Sequence, residues 1–158
     1  MPTVNPSLDE MARFERETPD DAPIVMLNLL RFRDEADYGP EGPRGVPGKK
    51  AYAAYSRAVM PLLLEGGGLP LWMGRARASV IAPEDETWDE VLLVHYPSRR
   101  AFLRMVRSPA YREVMRHRTA ALADSRLVET RPAFLPRWLL RAGRRAVRAK
   151  ALVAPGVR

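Results

Sequence analysis

The stretch Trp88-Asp89-Glu90-Val91-Leu92-Leu93-Val94-His95-Tyr96-Pro97-Ser98 constrains the fold of this chain more than any other. Valine and leucine dominate it, and it ends at a proline followed by a serine suited to cap a helix. It therefore reads as a buried strand over 88–96 running into a helix. A second run, Pro23-Ile24-Val25-Met26-Leu27-Asn28-Leu29-Leu30-Arg31-Phe32, is almost continuously apolar, as expected of a central strand covered on both faces.

The punctuation of the chain around these strands predicts the remaining elements. Ser7-Leu8-Asp9-Glu10 fits a capping box and opens a short helix carrying Met11 and Phe14, closing near Thr18-Pro19. Residues 33–48 hold Gly39, Gly42, Gly45 and Gly48 with Pro40, Pro43 and Pro47, which no regular element tolerates. That segment reads as a flexible loop, either a pocket lid or disordered. Tyr52, Tyr55, Val59 and Leu62 or Leu63 recur at helical spacing over 49–65, with Pro61 placed to kink the last turn. Gly66-Gly67-Gly68 ends that helix, and with no lysine-serine pair behind it the triplet is a turn and not a phosphate loop. A strand over 69–82 follows, then a polar turn at 83–86 and the strand 88–96. Two helices, from Ser98 to about 107 and from Pro109 to about 124, lead to an edge strand over 125–130. After the opening helix the order β, α, β, β, α, α, β contains the split βαβ arrangement of a ferredoxin-like α+β domain with an antiparallel sheet.

Composition narrows the chemistry. Without cysteine there are no disulfides, thiolate metal sites or thiol nucleophiles. His95 and His117 are the only histidines, and neither a metal-binding spacing, a haem-barrel motif nor a nucleophile elbow accompanies them, so no metal or other cofactor is expected. No apolar run approaches the roughly 18 residues that span a bilayer, and Met1-Pro2-Thr3-Val4 lacks the basic start of a signal peptide, which reads as a cytoplasmic protein. The net charge of +7 sits at one end: residues 131–158 carry eight basic residues and no acid, leaving 18 bases against 19 acids in 1–130. One domain over 1–130 and a basic tail over 131–158 follow from this division. Within the tail, Arg137, Arg141, Arg144, Arg145 and Arg148 share one arc of a helix over 137–153, beside an arc of Trp138, Ala142, Ala146, Ala149 and Val153. Such a tail docks on its own protein or a partner subunit, stays solvated and disordered, or lies on an anionic membrane surface; nucleic acid is the weakest of its candidate partners.

Tyr96-Pro97-Ser98-Arg99-Arg100-Ala101-Phe102, followed by Ser108-Pro109-Ala110-Tyr111 and Arg118-Thr119-Ala120-Ala121-Leu122, resembles the DUF1330 family of dimeric α/β-barrel proteins over about residues 23–130. The resemblance implies a homodimer in which two sheets pack into a barrel, with ligands between sheet and helices or inside the barrel. It implies no particular reaction, because the family has no settled activity.

A four-stranded sheet with helices on one side leaves its other face bare, and dimerisation is the economical way to bury it. Alternation places Ile24, Met26, Asn28 and Leu30 on one face of the first strand, and Asp89, Val91, Leu93 and His95 on one face of 88–96. Asn28 and His95 are expected to point into one cavity, since a buried amide or imidazole is costly without a partner. The alternatives are a loop contact for Asn28 and a solvated strand end for His95. Tyr52, Tyr55 and Trp72 offer an aromatic wall with hydroxyl or indole donors, or plain core. Asp89 is a candidate base or a turn-closing carboxylate, and Arg118 holds a carboxylate or is solvated. The expected ligand is a small, partly apolar molecule. One functional reading is cofactor-independent oxygenation or isomerisation of an activated carbon acid, with His95 or Asp89 as proton acceptor and Asn28 holding an oxygen. The other is a non-catalytic binding protein that its tail directs to an anionic membrane or acidic partner.

Overall fold

The computed structural model describes residues 3–16 and 21–131 of the 158. In chain order the elements are α1 (Leu8–Arg16), β1 (Ile24–Phe32), α2 (Gly48–Glu65), β2 (Leu69–Arg75), β3 (Glu90–Tyr96), α3 (Arg99–Arg107), α4 (Pro109–Ala121) and β4 (Leu122–Thr130). The strands form one antiparallel sheet in the order β2-β3-β1-β4. The two apolar runs are thus the central pair, and the topology is the ferredoxin-like split βαβ.

Opposed residues of an antiparallel pair share a face. Ile24 and Met26 of β1, with Val94 and Tyr96 of β3, pack under Val59 and Leu63 of α2, Phe102 and Met105 of α3 and Tyr111 of α4. Leu30 begins a second cluster with Ala51, Tyr52, Ala120 and Leu122. Val25, Leu27 and Leu29, paired with His95, Leu93 and Val91, belong to neither cluster and form the face turned away from the helices.

The helix ends obey their local signals. Ser7 and Glu10 bond reciprocally, with the Glu10 N–H donating to Ser7 Oγ at 3.1 Å and the Ser7 N–H to Glu10 Oε2 at 2.8 Å. Ser98 Oγ accepts from the Ala101 N–H at 3.1 Å. Ser108 serves two helices: its hydroxyl donates to the Met105 carbonyl at 2.8 Å and accepts from the Tyr111 N–H at 3.1 Å. α1 is tied to α3 by Phe14 against the edge of Phe102 and by Arg99, whose guanidinium lies over the Phe14 ring and grips Glu129 at 2.7 and 2.8 Å.

Three expectations are corrected. The strand expected over 69–82 ends at Arg75, because its partner β3 begins only at Glu90 and the last rung is Ala76 N–H to the Asp89 carbonyl. Beyond it runs a loop whose Val80 and Ile81 are 93% and 98% exposed. The helix expected to reach about 124 stops at Ala121, since Leu122 enters the sheet opposite Phe32 and is completely buried there. Residues 33–48 are anchored and are no lid. The Ala36 N–H donates to the Val46 carbonyl at 2.7 Å, the Asp37 N–H to the Ala120 carbonyl at 2.9 Å, and Tyr38 Oη lies 2.8 Å from His117 Nδ1. At Gly48 the chain passes so close to β1 and α4 that a Cβ would overlap the carbonyl oxygens of Arg33 and Ala121.

The helix expected over 137–153 lies outside the described residues. Among the described residues no helix is long and apolar enough to cross a membrane.

Candidate functional site

Between the helix-side face of the sheet and α2, α3 and α4 lies a cavity of about 1120 Å³, flanked by α1 and residues 3–6. Its floor includes Met26 and Asn28 of β1, Leu92 and Tyr96 of β3 and Leu127 of β4; Tyr52, Tyr55 and Arg118 line it from the helices. Apolar walls of this kind with a few polar groups fit a small organic ligand.

Asn28 is the polar residue at the centre of the floor. Its Nδ2 donates to the carbonyls of Met26 at 3.2 Å and Leu92 at 3.4 Å. Both partners are acceptors only, which orients the amide and leaves Oδ1 without a hydrogen bond to any described residue. The expected polar intruder therefore does border a cavity, with its acceptor free.

Three further groups share the end of the cavity near Leu30. Leu30 pairs with Glu90 on one side and Ser125 on the other, so Glu90, Leu30 and Ser125 form a row across the sheet on the helix-side face. Tyr52 packs on Leu30 from above. Arg118, only 9% exposed, reaches the same row from α4: Nη2 donates to Ser125 Oγ at 3.1 Å, and Nη1 to the Val4 carbonyl at 2.6 Å and Asn5 Oδ1 at 3.3 Å. No carboxylate of the described residues forms an ion pair with it. Burial pushes the Tyr52 hydroxyl well above its usual pKa, with Arg118 opposing and Glu90 reinforcing the shift. Tyr55 and Tyr96 are likewise raised by burial, and Tyr55 Oη lies 3.2 Å from Tyr111 Oη.

Glu90 is the residue that sequence reasoning passed over. Of the carboxylates bordering the cavity, Glu10 is bonded to Ser7, Glu15 to Arg107 and Glu129 to Arg99, whereas Glu90 has no hydrogen bond or ion pair with a described residue. Burial raises its pKa against the opposing charges of Lys49 and Arg75. Alternation along 88–96 puts Glu90 with Leu92, Val94 and Tyr96, opposite the face of Asp89, Val91, Leu93 and His95, and a carboxylate on that apolar face is the available signal.

The expected pairing of Asn28 with His95 is overturned. Asn28 stands opposite Leu92, whereas His95 stands opposite Val25, so the two side chains project from opposite faces of the sheet. His95 does not border the cavity; its Nε2 is buried without a partner among the described residues, and burial lowers its pKa. Asp89 is also outside: its Oδ2 accepts from the Phe32 N–H at 2.7 Å, closing the start of β3 onto β1. Trp72 borders the cavity but pairs with Leu93 across a register shift and lies 53% exposed over Gly74, at the margin of the bare face. Asn28, Tyr52 and Arg118 are thus brought together, Trp72 stands at an edge, and His95 and Asp89 lie elsewhere. No three histidine, aspartate or glutamate side chains gather as a metal-binding group among the described residues.

A family model described as a domain of unknown function, DUF1330, matches residues 45–130. The crystal structure of RPA0582, a protein of unknown function from Rhodopseudomonas palustris, is 39% identical with a TM-score of 0.77, over 86% of this chain and 100% of that one. A crystal structure of methylated RPA0582 is 41% identical with a TM-score of 0.79, over 84% of this chain and 96% of that one. No curated protein matches the chain. With more than half of its length matched by the family model and relatives this similar over most of both chains, the chain belongs to the DUF1330 family.

Proposed function

We propose that the protein is a homodimer that binds a small, partly apolar molecule between its sheet and its helices. The observation that carries this reading is a cavity of about 1120 Å³ bordered by Asn28 Oδ1 and the Glu90 carboxylate, neither bonded to a described residue. Protein interiors are close-packed, and polar groups left without partners beside a large apolar space suit the polar atoms of a ligand. Dimerisation is supported by the apolar face of Leu27, Leu29, Val91 and Leu93, which no described helix covers and which carries Trp72 and Val128 exposed at its margins.

Chemistry on an activated carbon acid is a second reading. It needs a proton acceptor at the cavity, and Glu90, with its raised pKa, meets that need better than His95 or Asp89. Binding is tested by thermal shift on the purified full-length chain with carboxylic acids, phenols and quinones, since a ligand of the folded state raises Tm. At least one class is expected to raise Tm, and the rise should shrink in Asn28→Leu. A panel that leaves Tm untouched throughout would sink the binding reading.

A further inference from the structure

The polar end of the cavity is divided by charge, and the division specifies the shape of its ligand. Glu90 and Ser125 are separated by one strand, hence by two strand spacings or about 10 Å. The guanidinium of Arg118 is held on Ser125, so it stands without a described counter-ion at one side of the row, while Glu90, with Arg75 as its cross-strand neighbour and the charge of Lys49 acting on it but no ion pair to a described residue, stands at the other. Tyr52 packs above the Leu30 between them, and its hydroxyl has no hydrogen bond to a described residue. Asn28 lies two residues back along β1 on the same face, presenting its free Oδ1. The Glu90 side and the Asn28 amide oxygen offer acceptors. The Arg118 side and the Tyr52 hydroxyl offer donors, with three of the five guanidinium N–H groups occupied by Val4, Asn5 and Ser125.

Burying a guanidinium without a counter-ion is unfavourable, and an anion arriving in the cavity would offset that cost. A ligand carboxylate placed beside Glu90 would meet its negative charge, offset in part by Lys49 and Arg75, whereas no described carboxylate pairs with Arg118, so the Arg118 side is the better anion site and the two ends of a ligand are not interchangeable. We propose that the cavity selects an aromatic or alicyclic hydroxy acid, with the single proton of its hydroxyl shared in a three-centre bond between Asn28 Oδ1 and Glu90 and its carboxylate bound by Arg118 and Tyr52. The apolar body then lies between these groups, beside Leu127 and Tyr52, which border the cavity. This proposal rests on the binding reading above and adds the polarity of the ligand to it.

The test is calorimetry on the full-length protein with a matched set: 6-hydroxy-2-naphthoate, 2-naphthoate, 2-naphthol and the methyl ester of the hydroxy acid. The hydroxy acid is expected to bind about tenfold or more tightly than each of the others, a difference of about 1.4 kcal/mol. Glu90→Gln and Asn28→Leu should remove its advantage over 2-naphthoate, and Tyr52→Phe should reduce its advantage over 2-naphthol. Arg118→Gln should abolish the latter advantage. Should that variant fail to fold, the methyl ester and Tyr52→Phe still decide the carboxylate arm. Equal affinities across the set would overturn the hydroxy-acid proposal while leaving a cavity that binds apolar molecules. Binding by none of the four, together with no thermal shift in the wider panel, would instead bring down the binding reading itself.

Discussion

Asn28 spends both amide hydrogens on carbonyls of its own sheet, which makes it a fixed acceptor instead of a flexible contact. Asn28→Leu should therefore weaken any ligand that donates to it by about 1–3 kcal/mol, while the thermal midpoint of the free protein stays nearly unchanged. Calorimetry and a melting curve read the two effects separately. His95 makes a different claim. Burial lowers its pKa, so the unfolded chain takes up a proton more readily than the folded one. Its stabilising contribution should be complete above the unfolded value of about 6.5 and should fall as the pH drops through that value toward the folded one. Urea melts at pH 5 and pH 7 should differ less in His95→Phe than in the parent, with His117, also lowered, supplying part of the slope that remains. Asn28 was legible in the sequence as a polar residue within an apolar strand and Tyr52 as an aromatic at helical spacing, whereas Arg118, on a helix already rich in charge, reads there as either a carboxylate holder or a solvated side chain. Glu90 was not singled out, because beside Asp89 at the start of a strand it looks like part of a polar turn.

At the scale of elements, two residues join segments that the sequence separates. Ser108 ends α3 and begins α4, and Ser108→Ala should cost about 1 kcal/mol, seen as a lower urea midpoint with unchanged cooperativity. Gly48 starts α2 where the chain crosses Arg33 and Ala121, and a methyl group there has no space that does not require backbone to move. Gly48→Ala should cost about 2–3 kcal/mol, more than the loss of the cap. The same urea melts rank the two, and a Gly48→Ala protein as stable as the parent would contradict this packing. Residues 33–48 were recognisable as irregular from their glycine and proline content. Their anchoring was not, because Ala36 is held within the loop by Val46 while Asp37 and Tyr38 are held by Ala120 and His117, far along the chain.

For the whole molecule, the bare sheet face sets the expectation of a dimer. Sedimentation at micromolar concentration should give a dimer for the full chain and for a chain lacking residues 131–158. Leu27→Asp, which places a charge amid that face, should shift both toward monomer. A parent chain that sediments as a monomer would refute the barrel arrangement. The basic tail is a separable question. An anionic-membrane role predicts binding to anionic but not zwitterionic vesicles, with about 1 kcal/mol from each basic residue near the surface and weaker binding in Trp138→Ala. Docking on the domain predicts no vesicle binding and a lower Tm when the tail is removed.

The sequence by itself determined the element order, the helix caps and the division of each central strand into two faces, because these depend on residues close along the chain, and that order in turn implied the split βαβ topology. Only the tertiary structure decided which face of β1 joins which face of β3. A period of two has two possible phases, each strand satisfies its own alternation in either, and the choice lies in the register between strands more than sixty residues apart. That register sets Asn28 against Leu92 and so gathers Asn28, Glu90 and Tyr52 in one cavity while sending His95 to the other side.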